Sequence, residues 1–450
     1  MSPWTGALVQ QALGLPRPPA TAPWIAISTD TRSIEPGALF LALVGERFDG
    51  HNYLAAAREQ GATAVVVRRG TAPVGGLELL EVDDTLRAYG DIARARRRLI
   101  TGPVVCVTGN NGKTTVKEMV AAVLRTRFGV HATRANNNNL VGVPLTIIEA
   151  PWDVEALVIE GGGNVPGELP RYREIIEPTI TIATNATEGH LEGYGSLAAI
   201  VADTIAVTAG VDLAVVGMEP RSLAEGARRV ARTVITVGWQ DADRIPQVLA
   251  TDARARPRVR LGGQEVQLPL PGRHQALNAE FAWVVGEAVG IDADAAAKAL
   301  ATVTVPGGRS ELSQVGRLTI LNDCYNANPH SFAASIATAA DLRRGRRLVF
   351  VAGTMRELGA EAARLHRAVA AQIVALDPEL IAAVGEFVPA FQPWAETLGD
   401  RLITAADAPA MGPLLAARLR GDEVLVLKGS RGAALERILP AITGRAAAPH

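Results

Sequence analysis

The sequence predicts an α/β protein of three domains, and three observations carry that expectation. The chain has 450 residues, too many for one ordinary core. Apolar runs bounded by turns alternate with helically spaced segments, the pattern of parallel sheets covered on both faces. One such run, "VVCVT" (Val104 to Thr108), leads straight into "GNNGKTT", a glycine turn followed by a lysine and two threonines.

In chain order, the first hundred residues mix short strands with helical stretches. The strands are "GALFLAL" (Gly37 to Leu43) and "TAVVV" (Thr63 to Val67), and Tyr53 to Glu59 reads as helix. From Pro103 the pattern becomes strand, turn, helix, repeated. After Val104 to Thr108 the strand-like runs are "ALVIE" (Ala156 to Glu160), "ITIAT" (Ile180 to Thr184), "LAVVG" (Leu213 to Gly217) and "VITVG" (Val234 to Gly238). Val116, Met119, Val120, Val123 and Leu124 recur at helical spacing. "TVPGGRSE" (Thr304 to Glu311) reads as a linker, and a second alternation follows. Its strands are "RLVFVAG" (Arg347 to Gly353), "LIAAVG" (Leu380 to Gly385), "RLITAA" (Arg401 to Ala406) and "DEVLVLKGS" (Asp422 to Ser430). The expected domains are therefore residues 1–100, 101–304 and 305–450.

Composition narrows the function. Net charge is −1, so nothing favours nucleic acid or an anionic membrane as a partner. "RARRRL" (Arg94 to Leu99) reads as a solvated helix end. Cys106 and Cys324 sit in structured segments, which points to a reducing compartment without disulfides. The N-terminus lacks the basic and apolar regions of a signal peptide, and no apolar run approaches the ~20 residues a membrane span needs. A soluble cytoplasmic protein is expected. No exposed heptad or apolar stripe argues for an obligate assembly, so a monomer is expected.

The chemistry starts at Gly109, Asn110, Asn111, Gly112, Lys113, Thr114 and Thr115. Where a strand meets a helix, backbone amides face phosphate oxygens and a lysine adds mobile positive charge. Thr114 or Thr115 offers a hydroxyl to Mg²⁺. The fit to the general P-loop is incomplete, because Val107 stands where its first glycine belongs. Only four lysines occur, Lys113, Lys117, Lys298 and Lys428. Arginine fills most basic roles, so a lysine in a glycine-bounded loop is a strong chemical candidate. Lys113 and Lys428 both qualify. Glu160 ends an apolar strand, where ligands of open sheets collect. His190 follows the next strand in "TNATEGHLEGYGS", so a second metal site on one rim is plausible. On residues alone this is a Mg-nucleotide enzyme of unknown substrate.

Read together, the segments resemble the Mur ligases, the ATP-dependent amide-forming enzymes of peptidoglycan assembly. "TGNNGKTT" is similar to that family's variant P-loop. "STDTRSIEPGALFLALVGERFDGHNY" (Ser28 to Tyr53) is similar to the domain that binds the nucleotide sugar. "NNNNLVGVPLT", "PGRHQALNAEFA", "PGGRSE", "NDCYNANPHS", "GTMRELG" and "VLKGSRG" continue in family order. The resemblance implies a three-domain Mur ligase architecture, with a central P-loop parallel-sheet domain and a Rossmann-like C-terminal domain. The last motifs are most like the member that adds D-Ala-D-Ala to UDP-N-acetylmuramoyl-tripeptide through an acyl phosphate.

By the same resemblance, Lys113 and Thr114 hold the β- and γ-phosphates of ATP and one Mg²⁺. Glu160 and His190 serve a second Mg²⁺. Gln275, Asn278 and Arg309 contact ATP, and Asp323, Tyr325 and Asn326 come from the closing C-terminal domain. Lys428, Ser430 and Arg431 are candidates for the nucleotide or the incoming dipeptide, with Asn328 beside them. Asp30, Arg32, Asp49, Gly50 and His51 fall in the nucleotide-sugar segment.

The chain also departs from the family. The lysine that is usually carbamylated to help bind the second Mg²⁺ is matched by Thr204, and no lysine occurs between Lys117 and Lys298. Asp203, one helical step away, points elsewhere. Asn322, Thr354, Gln275 and Gly161 also replace usual family residues. Two expectations compete: a divergent D-Ala-D-Ala-adding ligase, or a paralogue with another carboxylate and amine, or with ligation lost. An ATPase or kinase that makes no amide is a further alternative.

Overall fold

The computed structural model describes residues 4–45 and 48–444. Glu46 and Arg47 of the "GERFDGH" motif lie outside the described residues. The chain forms two compact units, one of Met1–Val107, Arg127–Gly163 and Gly167–Thr181, the other of Thr108–Thr126, Asn164–Pro166 and Ile182–His450.

In the first unit, the strands Ile27–Ser28, Leu39–Leu41, Ala64–Arg68 and Glu78–Val82 form a parallel sheet in that order. Asp84 caps the helix Thr85–Arg97 by accepting from the Leu86 and Arg87 amides. Two of the four arginines at its end depart from the solvated face the sequence suggests, whereas Arg98 stays exposed. Arg96 and Arg97 are buried. Arg96 stacks its guanidinium 4.1 Å from the Trp152 ring centre and donates to the Pro151 carbonyl at 2.7 Å. Arg97 donates to the carbonyls of Ile176, Ile100 and Glu177. Planar guanidinium forks satisfy several loop carbonyls at once, which a solvated helix end would leave to water.

The same unit holds Val104–Thr108 up to Val107, flanked in parallel by Ala156–Glu160, which in turn pairs with Val130–Ala132. Every residue of Ala156–Glu160 is buried. That explains its uninterrupted apolar run and leaves the Glu160 carboxylate inside the protein.

In the second unit, the helix Lys113–Leu124 follows the glycine turn and packs against the helix Gln275–Ala288. Leu213–Gly217 pairs in parallel with Thr233–Val237. An antiparallel sheet of Gln247–Thr251, Pro257–Leu261 and Gln264–Gln267 follows, and the sequence did not reveal it. The last sheet runs Glu311–Val315, Leu318–Asp323, Val424–Lys428, Leu348–Gly353, Leu380–Val384, Leu402–Ala405. Its first pair is antiparallel and the rest are parallel. Phe332, Phe350, Phe387 and Phe391 pack in one hydrophobic cluster on this sheet, and Met411, Leu415, Leu425 and Leu427 in another. The out-of-order placement of Val424–Lys428 between Leu318–Asp323 and Leu348–Gly353 brings Asp323, Lys428 and Gly353 to one end of the sheet. Ligands of such sheets collect there. Among the described residues no helix is long and apolar enough to cross a membrane.

Candidate active site

The glycine turn needs its glycines. Gly109 has φ +122°, and a Cβ there would lie 2.2 Å from Thr184 Oγ1. Gly112 has φ +83°, and a Cβ there would lie 2.8 Å from Asn278 Oδ1. An L side chain would be strained at both φ values, and at Gly109 it would also meet the Asn185 backbone at 2.8 Å. Gly112 stands at the helix N-cap with no side-chain cap bond. The amides of the first helical turn therefore face outward to an acceptor such as phosphate.

The two asparagines of the loop act on protein groups. Asn110 Oδ1 accepts from the Thr187 amide at 2.9 Å, and its Nδ2 donates to the Gly189 carbonyl at 3.2 Å. Asn111 Nδ2 donates to Thr187 Oγ1 at 3.0 Å, and its carbonyl accepts from Thr184 Oγ1 at 2.6 Å and Asn185 Nδ2 at 3.2 Å. Thr184, Asn185 and Thr187 thus brace the loop, a role that sequence reasoning missed. The signal was present in the short polar run that follows the strand Ile180–Ala183. Lys113 folds back over the loop, with Nζ 2.7 Å from the Gly109 carbonyl and 3.3 Å from that of Asn110. Thr114 and Thr115 are buried in the first helical turn. Gln275 and Asn278 lie on the packing helix, joined by an Asn278 Nδ2 to Gln275 Oε1 bond of 2.9 Å.

Glu160 is buried at its strand end. Its Oε1 accepts from Asn138 Nδ2 at 2.9 Å, whereas Oε2 is buried without a hydrogen-bond partner. A bare, buried carboxylate oxygen is costly unless a cation meets it, so this donor fits Mg²⁺. No three His, Cys, Asp or Glu side chains converge on a common point among the described residues. At the carbamate position, Thr204 is buried and its hydroxyl donates to the Ile200 carbonyl at 2.7 Å. Asp203 accepts from the Tyr194 hydroxyl at 2.9 Å. His190 has φ +61°, and its Nδ1 pairs with the carboxylate of Glu357. That bond, the His190 charge and the nearby Lys113 hold the Glu357 carboxyl below the usual carboxylate range, against the opposing effect of burial.

In the second unit the C-terminal residues group in two sets. Arg309 lies with its guanidinium 3.5 Å from the Tyr325 ring centre, and Arg431 lies 5.9 Å from it. These three form a cationic-aromatic platform. Asp323 accepts from the Ser310 amide at 3.0 Å, from the Ser335 hydroxyl and from Lys428 Nζ at 2.9 Å. Burial alone would raise its pKa, but Lys428 and these bonds outweigh that and lower it. Lys428 also donates to the Asn326 carbonyl at 2.7 Å. It is buried within this pair, close to the His274 ring, whose pKa burial pushes down to about 4. Asn328 caps the helix Pro329–Arg343 and reaches the loop through Asn111. Ser430 Oγ accepts from the Arg356 amide at 2.9 Å.

In the first unit, Asp30 is paired with Arg32 and caps a single turn, and that bond lowers its pKa to about 2. Asp49 accepts from His51 Nδ1 at 2.6 Å, while His51 Nε2 accepts from the Arg68 amide at 3.0 Å. A Cβ on Gly50 would meet Ala42 Cα at 2.8 Å. The "DGH" triplet therefore folds its own loop against the strands.

Three family descriptions match the chain: "Mur ligase family, catalytic domain" over residues 26–97, "Mur ligase middle domain" over 107–286, and "Mur ligase, glutamate ligase domain" over 308–431. The chain is 33% identical to the UDP-N-acetylmuramoyl-tripeptide--D-alanyl-D-alanine ligase of Escherichia coli K12, covering 93% of each chain. It is 34% identical to the protein of that name from Synechocystis, covering 92% of this chain and 90% of that one. A crystal structure of MurF from Acinetobacter baumannii superposes with a TM-score of 0.88 at 27% identity, covering 98% and 99%.

Proposed function

The chain belongs to the Mur ligase family, and we propose that it joins D-alanyl-D-alanine to UDP-N-acetylmuramoyl-tripeptide, an ATP-dependent step of peptidoglycan synthesis. The observation that carries the phosphate chemistry is the loop Gly109–Thr115. Its glycines take φ values at which a side chain is strained, and its asparagines are spent on holding its shape. Such preorganisation costs no rearrangement when phosphate charge arrives. Likeness along nearly the whole chain to ligases of that name supports the substrate pair. It also favours ligation over a paralogue or an ATPase without an acceptor.

A carboxylate is a poor acylating group, so the reaction takes two displacements. A tripeptide carboxylate oxygen attacks the γ-phosphorus of ATP, the bond to ADP breaks, and an acyl phosphate forms. The D-Ala-D-Ala amine attacks the acyl carbon, phosphate leaves with the C–O electron pair, and the amine loses a proton. Lys113 and the first-turn amides bind and neutralise the β- and γ-phosphates. Mg²⁺, when bound, would offset the remaining phosphate charge; Thr114 is the candidate donor to one ion, and Glu160 and His190, each considered within its own unit, are candidate donors to a second. Gln275, Asn278 and the Arg309–Tyr325–Arg431 platform serve the nucleotide. Asp323, Asn326 and Lys428 fix the end of the C-terminal sheet, with Ser430 and Asn328 at the dipeptide side. Asp30, Arg32, Asp49, Gly50 and His51 shape the segment for the nucleotide sugar.

We take the domains to divide near residues 101 and 305, which the spacing of the three matched segments supports. A cytoplasmic monomer is part of this reading; Cys106 and Cys324, buried and unpaired in a disulfide, support the reducing compartment. The test is phosphate release from ATP and Mg²⁺ with the tripeptide substrate, D-Ala-D-Ala being added or withheld. Release that requires both, with a pentapeptide product by mass, is expected. ATP binding without release would overturn the reading.

A further inference from the structure

The bond between His190 and Glu357 joins residues 167 positions apart. Both sit in the left-handed region, with φ +61° for His190 and +65° for Glu357. Neither is glycine, so each conformation is strained and persists only where the surroundings impose it. The surroundings of Glu357 do so residue by residue. The Met355 amide donates to His366 Nε2 at 2.9 Å, and the Arg356 amide donates to Ser430 Oγ at 2.9 Å. The Glu357 carbonyl accepts from the Glu192 amide at 3.1 Å. Leu191, next to His190, packs on the same hydrophobic cluster as Met355 and Leu358. The main chain beside each partner is thus clamped to the other, and the side-chain bond closes the frame.

An ionised carboxylate only accepts hydrogen bonds. The proton shared with Glu357 therefore belongs to the imidazole Nδ1, and in the neutral ring the lone pair lies on Nε2. A carboxylate on the far nitrogen is the arrangement that orients metal-binding histidines and raises their basicity. We propose that Glu357 is a positioning residue for His190, fixing the tautomer and ring orientation in which Nε2 is offered to a divalent cation. This rests on the ligase reading for the cation's purpose, but the tautomer itself does not. It also gives the "MRELG" motif a task at His190, although the two segments are remote in sequence.

The test uses the full chain with ¹⁵N-labelled histidine, the His190 signals being assigned with His190→Ala. At a pH where the ring is neutral, the wild type is expected to show protonated Nδ1 and bare Nε2. Glu357→Ala should shift the ring toward protonated Nε2, the form free imidazole prefers. Glu357→Gln keeps an acceptor and should stay close to wild type. Mn²⁺ titration in the presence of ADP should show affinity falling 10–100-fold in Glu357→Ala and much less in Glu357→Gln. An unchanged tautomer in Glu357→Ala, or equal Mn²⁺ affinity in all three proteins, would overturn the proposal. A wild type that makes no pentapeptide would sink the ligase reading while leaving the tautomer result standing.

Discussion

Asn328 Nδ2 donates to Asn111 Oδ1 at 2.8 Å, so the residue that caps the helix Pro329–Arg343 also holds the phosphate loop. Its Oδ1 does the capping, accepting from the Ser331 amide. The two jobs separate by substitution. Asn328→Ala loses both and should cost about 0.5–2 kcal/mol of stability for the cap alone. Asn328→Asp keeps the cap acceptor and loses the donor, so Tm should change little while KM for ATP rises several-fold. Thermal unfolding and ATP kinetics check this; an alanine variant with wild-type KM would refute the link to the loop.

Gly109→Ala should be more damaging than its size suggests. The new Cβ falls 2.2 Å from Thr184 Oγ1 and 2.8 Å from the Asn185 carbonyl, at a φ of +122°. Strain and displacement of the bracing segment act together, so ATP binding should be lost and Tm lowered. Adding Thr184→Ser should not rescue it, because the hydroxyl and the backbone carbonyl remain. Nucleotide titration of both variants decides.

What the sequence made legible was whatever is decided locally. Strands buried on both faces, such as Ala156–Glu160 and Leu348–Gly353, read correctly, whereas Glu78–Val82 and Leu318–Asp323, which carry exposed or half-buried positions, were not read. The phosphate loop was visible because its glycines are needed for backbone reasons. The buried Arg96 and Arg97 were not visible, since all but one of their acceptors are carbonyls 54 to 80 residues away. The antiparallel strands between 247 and 267 are short and half-exposed, and only Pro257–Leu261 alternates buried and charged positions, a weaker signal than a buried run. Glu357 escaped for the same reason as the arginines: its partner is set by the fold, and only the motif around it was seen.

Glu280 makes stability fall with rising pH. Burial pushes its carboxyl up to about 7, with Glu287 adding to the effect and Arg244 opposing it. Between pH ~4.5 and about 7 the folded state therefore binds more protons than the unfolded state, so stability falls across that window and levels off above it. The loss is roughly 3 kcal/mol for a shift of this size. Glu280→Gln should flatten that slope and raise stability at pH 8. Denaturant unfolding at pH 5, 7 and 8.5 measures it; parallel curves for the two proteins would contradict the burial effect.

Lys113→Ala should abolish ATP turnover and leave the fold intact. Its Nζ lies against the loop's own carbonyls of Gly109 and Asn110, so removal deletes a mobile charge rather than a core contact. Losing such a group costs on the order of 10²–10³ in rate or more. Wild-type phosphate release by a folded variant would overturn the phosphate-loop assignment.

Activity should not respond to bicarbonate. A lysine carbamate forms only where an uncharged lysine amine meets carbon dioxide, and the position concerned carries Thr204. Its hydroxyl is buried on the Ile200 carbonyl, and the neighbouring Asp203 is engaged by the Tyr194 hydroxyl. No lysine between Lys117 and Lys298 is available to take the role. The Glu160 Oε2, buried without a hydrogen-bond partner, supplies a carboxyl oxygen without any modification. Rates in degassed buffer and in added bicarbonate should therefore agree at every pH tested, and Glu160→Gln should weaken Mn²⁺ binding by at least tenfold. A clear stimulation by bicarbonate would mean that a lysine outside this stretch carries the carbamate, with Lys113, Lys117, Lys298 and Lys428 the four to examine.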